Sequence, residues 1–412
     1  MRAILCILAL LAFGITPAAV RGSDIPLTRS QARSRAAQLA MLGRHLFFDP
    51  ALSASGKTAC ATCHDAAHAF GPPNALAVQL GGKDLRQPGL RAVPSLKYLQ
   101  AAPQFTEHYY ESDEDGDASI DSGPTGGLTW DGRVDRSRDQ ANIPLFSPFE
   151  MANTRAADVV AAVARADYAG EMRSIFGASV FDQEAAAFAG VLMALEAYQQ
   201  DFRAFYPYSS KYDAYLAGVA SLTAPEARGL ALFQDPKKGN CDSCHRSRRD
   251  NDGGPPQFTD YGLIALGLPR NTAIPANSDP DFFDLGACGP LRTDLRGRGE
   301  YCGRFVTPTL RNVALRQTFF HNGLVHTLRQ AIEFYVQRDR EPDKWYPRDD
   351  SGRVRKFDDL PPAYRANVNM EPPFGGQPGE PPLLSGQDID DIIAFLETLT
   401  DAYEPKGSGG AR

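Results

Sequence analysis

The chain has 412 residues, 43% of them hydrophobic and 23% charged, with a formal net charge of −7. That length allows about two globular domains, and the composition excludes a fibre or a disordered tail. The acidic balance excludes non-specific nucleic-acid binding, which needs a basic surface.

In chain order, the first segment, MRAILCILALLAFGITPAAVRGSD, combines Arg2, an apolar run from Ala3 to Ile15 and small residues at Ala18 and Ala19. This predicts a signal peptide over residues 1–22, with Cys6 inside it, and export to the periplasm. The run is too short for a membrane span, and no later stretch is apolar enough for one. A helix is predicted over 30–46, running into CATCH at 60–64. The acidic ESDEDGD at 111–117 reads as a solvated loop or as a docking patch for a cationic electron donor. Residues 182–206 place Phe188, Val191, Leu195, Tyr198, Phe202 and Phe205 at steps of three and four, an amphipathic helix. A linker is expected over 206–218 and a helix over 224–234, leading to CDSCH at 241–245. The stretches 111–127 and 246–303, rich in glycine and aspartate, read as surface loops. The last predicted helix, 387–400, carries Ile389, Ile392, Ile393 and Leu396. No two-residue alternation is sustained anywhere, so the fold class is mainly α.

Cys60, Cys63 and His64 form one CxxCH, and Cys241, Cys244 and His245 form a second. In such a motif two thiols bond the vinyl groups of a haem and the histidine supplies the proximal ligand. The alternatives are a zinc site or a redox dithiol, but zinc wants four ligands drawn together. Cys288 and Cys302 remain, as a disulfide in an oxidising compartment or as two free thiols.

Self-similarity organises the rest. GRHLF (43–47) and GLALF (229–233) precede the two CxxCH sites, whereas PSLKYL (94–99) and PTLRNV (308–313) follow them. Next come WDGRVDRSR (130–138) and HNGLVHTLR (321–329). The chain is therefore two copies of one haem-binding domain. The first is expected over 23–210 with an open peroxidatic haem, the second over 211–412 with an electron-transfer haem. Aligning Trp130 with His321 places Pro144 opposite Tyr335, each fourteen residues on. A tyrosine can ligate ferric iron and a proline cannot. Tyr335 is thus a candidate cap for the second haem, against the reading of a core aromatic. The first haem is left open for small-molecule chemistry. His68 is too near His64 to reach the opposite face, and His108 lies in a polar segment. Glu150 is a candidate acid–base group for peroxide and Gln140 a candidate orienting group; Glu150 alone would read as a surface glutamate.

With LGRHLFFDPALSASGKTACATCH, the WDGR…Q…P…E spacing, FTDYGLIALGLPRN and TPTLRNVALRQTFFHNGLVHTLRQAIEFY, the chain resembles the bacterial dihaem cytochrome c peroxidase/MauG superfamily over nearly its whole mature length. The resemblance implies two tandem cytochrome c-like domains, each with one covalent c-type haem, bridged by Trp130. It makes Gln140, Pro144 and Glu150 the distal residues. It puts Tyr335 at the axial position that is methionine in typical peroxidases and tyrosine in the MauG-like and MbnH-like branch. The implied activity is reduction of hydrogen peroxide to water through high-valent haem iron. Electrons would come through the second haem from a cytochrome c or cupredoxin, or from a partner protein that is itself oxidised. A plain electron-transfer dihaem cytochrome is the third reading. Three departures stand out. Residues 69–90 contain no histidine where typical peroxidases have one that caps the first haem. Ala92 stands where the family's inter-haem calcium has an asparagine, which leaves the backbone oxygens of Arg316 and Thr318 as candidate calcium ligands. Gly239 stands where MauG has the surface tryptophan that oxidises its protein substrate.

Overall fold

Two helix crossings set the architecture, and each turns on one glycine. An opening helix, Arg29–Phe48, crosses a closing helix, Glu184–Gln199, at Gly43, where an added Cβ would stand 1.8 Å from the Ala194 carbonyl oxygen. A second opening helix, Ala224–Gln234, crosses Gly386–Glu397 at Gly229, where a Cβ would stand 1.9 Å from the Asp391 carbonyl oxygen. Only glycine permits that approach. Each glycine heads a GxxLF motif, whose Leu46, Phe47 and Phe233 are then buried.

The computed structural model describes residues 27–110, 119–249 and 253–404; the expected signal peptide (1–22) and acidic run (111–117) lie outside the described residues. Two apolar cores run through it. One is drawn from Leu42 to Phe205, the other from Tyr212 to Leu399. Among the described residues the only strands are four of two residues, paired antiparallel: Leu80–Gly81 with Gln87–Pro88, and Leu263–Ile264 with Phe305–Val306. The fold is mainly α, built as two cytochrome c-like domains. No helix among the described residues is long and apolar enough to cross a membrane.

The duplication extends to backbone torsions. Phe70 and Phe258 share positive φ values of 52° and 55°, Tyr98 and Asn312 of 62° and 61°, and Thr129 and Phe320 of 72° and 67°. Non-glycine residues seldom adopt this region, so matched pairs at repeat-equivalent positions are inherited geometry, not local accident.

Three expectations are corrected. The helix expected over 182–206 ends at Gln199, and a separate turn, Phe202–Phe205, follows. Asp201 caps that turn through the Arg203 N–H, so Phe202 points to solvent while Phe205 stays in the core. Residues 211–218 are not all linker: Lys211–Leu216 is helical and Tyr212 packs against Phe258 and Phe395. Nor is 246–303 a surface loop. Leu263, Ala287, Leu295 and Tyr301 form a small core of their own, closed by the Cys288–Cys302 disulfide. Gly286, at φ 59°, serves a tight turn inside that core and would put a Cβ 2.1 Å from the Arg304 carbonyl oxygen.

Candidate functional site

A cavity of about 750 Å³ passes both CxxCH segments. Cys60, Cys63 and His64 line it, as do Cys241, Cys244 and His245. So do Trp130, Gln140, Pro144, Glu150 and Tyr335, so the haem-holding and catalytic candidates all line one space. Its size is that of a cofactor pocket.

On the proximal side the two lobes are built alike. His64 Nδ1 donates to the Phe70 carbonyl at 2.9 Å, and His245 Nδ1 to the Phe258 carbonyl at 2.9 Å. These bonds put the proton on Nδ1 and leave the lone pair on Nε2, as a metal-ligating histidine requires. The same carbonyls accept the Leu96 and Leu310 N–H groups, each at 3.2 Å, which is what the P[ST]L segments are for. Burial, with a smaller push from Arg316, lowers the His64 pKa to about 4, and burial lowers His245 as well, so both rings are neutral. Burial pushes the Cys60 and Cys241 thiols up to about 12. A redox dithiol needs the opposite shift. Unpaired thiols, a neutral histidine and an adjoining cavity fit a covalently attached haem in each lobe.

The helices that follow Trp130 and His321 keep one register but differ in most of their residues, Pro144 and Tyr335 among them. The helix Ser137–Phe146 begins seven residues after Trp130, and Leu328–Gln337 begins seven after His321. Pro144 and Tyr335 are therefore each the eighth residue of equivalent helices, and both face the cavity. Pro144 carries no donor atom and removes the N–H that would bond the Gln140 carbonyl. Tyr335 stacks on Phe374 at 5.2 Å, and the Arg338 guanidinium covers the other ring at 3.8 Å. Burial and the neighbouring thiols push the Tyr335 pKa up while Arg338 pulls it down; the thiol contribution vanishes once the sulfurs are thioethers.

Glu150 follows the Ser137–Phe146 helix on a pinned turn. Its N–H donates to the Ser147 carbonyl at 3.0 Å and its own carbonyl accepts from Gly82 at 2.8 Å. It stands partly open to the cavity but shielded from bulk water, and burial raises its carboxyl pKa, against opposing pulls from Ser147 and Arg133. Arg133 in turn donates to both oxygens of the fully buried Asp131. His68 is bonded to Asp65 at 2.6 Å, and the His108 side chain is 65% exposed and paired with Asp121.

Between the lobes, Trp130 Nε1 donates to the Ala92 carbonyl at 2.7 Å, and the Ala92 N–H donates to the His321 carbonyl at 2.7 Å. The Trp130 and His321 rings meet edge to face at 6.4 Å, and Phe305 stacks on His321. Arg91 lies over Phe305 and bonds Asp131 and Asp284. Arg91, Arg133, Asp131, Phe305 and Arg338 were not singled out by the sequence. Asp131 and Arg133 lie inside the WDGR motif, which was the available signal. The calcium expectation is not supported: the Thr318 carbonyl, counted as a candidate ligand, accepts from Arg316 Nε at 3.2 Å.

Comparisons with known proteins bear on the family. Residues 37–221 match the family described as di-haem cytochrome c peroxidase. The chain is 35% identical to the methylamine utilization protein MauG of Paracoccus denitrificans over 390 residues, 92% of each chain. It is 29% identical to the cytochrome c551 peroxidase of Nitrosomonas europaea over 75% of this chain and 76% of that one. Among solved structures, the diheme peroxidase BthA of Burkholderia thailandensis superposes with a TM-score of 0.76 at 40% identity, covering 88% of this chain and 86% of that one. Duplicated lobes, paired CxxCH motifs and this likeness along nearly the whole length have one reading: the chain belongs to the dihaem cytochrome c peroxidase/MauG superfamily.

Proposed function

We propose that this chain is an exported dihaem peroxidase that reduces hydrogen peroxide to water. The first domain would span 23–210 and the second 211–412, after removal of residues 1–22 in the periplasm. One haem c would be held by Cys60, Cys63 and His64, the other by Cys241, Cys244, His245 and Tyr335. When bound, these haems supply redox-active iron able to take oxidising equivalents from peroxide and pass them on. The observation that carries this reading is the difference at one helix position, Pro144 in one lobe and Tyr335 in the other.

The chain's own groups have separate tasks. Glu150 takes a proton from one peroxide oxygen and delivers it to the other, so that the O–O bond breaks heterolytically and water leaves. Gln140 orients the substrate by hydrogen bonding. Pro144 keeps the space beside them clear of any donor atom. Trp130, fixed at its Nε1 by Ala92, lies on the route for electrons between the lobes. Two electrons and two protons per peroxide complete two waters, the electrons coming from a cytochrome c or cupredoxin.

A second reading, oxidation of residues on a partner protein, is favoured by the likeness to MauG. Mixing the haem-loaded protein with reduced cytochrome c and peroxide separates the two. Oxidation at many turnovers per second supports the peroxidase. Turnover slower than one per minute, even with a reduced cupredoxin, would remove that reading in favour of protein modification.

A further inference from the structure

The family's inter-haem calcium does not fit this chain, and the residue that displaces it is visible. Arg316 sits where the halves meet. Its Nε donates to the Thr318 carbonyl in the second half at 3.2 Å, and its Nη2 to the Val93 carbonyl in the first half at 3.1 Å. Its Nη1 approaches Gly71, standing 3.6 Å from where a Cβ would be. The side chain lines the cavity, and its charge acts on His64.

Calcium needs six to eight oxygen donors, normally with carboxylates among them. Here Ala92 brings no side-chain oxygen, and the Thr318 carbonyl is already bonded to a cation. Among the described residues Arg316 has no carboxylate partner; loss of surrounding water is what lowers its pKa, to about 10, and it stays protonated at neutral pH. A guanidinium placed on carbonyl oxygens offers one positive charge where calcium would bring two, in a planar fork that spans two segments of chain.

We infer that Arg316 is a built-in cation standing in place of the inter-haem calcium, joining the two halves and setting the charge beside the first proximal histidine. This rests on the dihaem reading above for its electronic consequence, but not for its metal content. It makes Arg316 a positioning residue that acts through the Ala92–Val93 segment and His64. It also makes the enzyme indifferent to calcium, unlike a relative whose site must be loaded.

The haem-loaded protein is expected to purify with substoichiometric calcium by atomic emission. Its midpoint potentials and ferric paramagnetic resonance spectrum are expected to be the same with EGTA and with added calcium chloride. One calcium per chain, or a spectrum changed by EGTA, would overturn the inference. Arg316→Gln removes the charge and is expected to lower the midpoint potential of the haem on His64, because a nearby cation favours the reduced state. Arg316→Lys is expected to leave that potential close to the parent value. A glutamine variant with the parent potential would contradict the role of the charge. If Arg316→Gln does not fold, the calcium and EGTA measurements on the parent protein still decide. A preparation without haem would fail the functional reading, while its calcium content would still test Arg316.

Discussion

Glu150→Gln is expected to lower kcat/KM for hydrogen peroxide by about a thousandfold, within the range that a positioned acid–base group contributes. Glutamine keeps the shape and the pinned backbone turn, since the bonds from Glu150 N–H and to its carbonyl are main-chain bonds. What it loses is the ability to accept and return a proton. The haem absorption spectrum should therefore be unchanged while peroxide reactivity collapses. The parent enzyme supplies a second check through pH. Glu150 must be ionised to act as a base, and burial raises its pKa above the ordinary carboxylate value. The rate of reaction with peroxide should thus rise with pH through that raised value and then level off, and fall again as pH drops below it. In Glu150→Gln this limb should be missing. A variant that keeps both rate and limb would assign the proton transfer elsewhere.

Tyr335→Phe is expected to abolish the low-spin ferric resonance of the second haem and replace it with a high-spin one. The eighth residue of the Leu328–Gln337 helix faces the cavity, and phenylalanine there leaves no donor atom, reproducing the proline of the other lobe. Packing should survive, because stacking on Phe374 depends on the ring and not on the hydroxyl. An anionic oxygen ligand favours the oxidised iron, so its loss should also raise that haem's midpoint potential. An unchanged low-spin resonance in the variant would return Tyr335 to the status of a core aromatic.

What was legible in the sequence follows from how each signal is encoded. CxxCH is a local pattern, so Cys60–His64 and Cys241–His245 could be assigned by inspection. GxxLF and the Trp130/His321 alignment were legible because the chain carries its own second copy, and the register of the two distal helices follows from that alignment. The helix break after Gln199 was not, since apolar spacing continued through Phe202 and Phe205 while a single aspartate cap decided the matter. The 246–303 segment was misread because glycine and aspartate usually mark exposed turns, whereas here a disulfide and Arg292, donating to the Asp131 carbonyl, draw it inward. The Arg91 to Asp284 pair spans 193 positions and Arg316 to Val93 spans 223. No local pattern announces such contacts; they exist only once the two halves are docked.

In the proposed enzyme one lobe is kept open while the other is capped, and both share the equivalents taken from peroxide. Electron paramagnetic resonance of the ferric protein, before and after one equivalent of hydrogen peroxide, tests it directly. One high-spin and one low-spin signal are expected at the start, with both falling together on addition of peroxide. Two low-spin signals that peroxide leaves untouched would contradict it and make the chain an electron carrier.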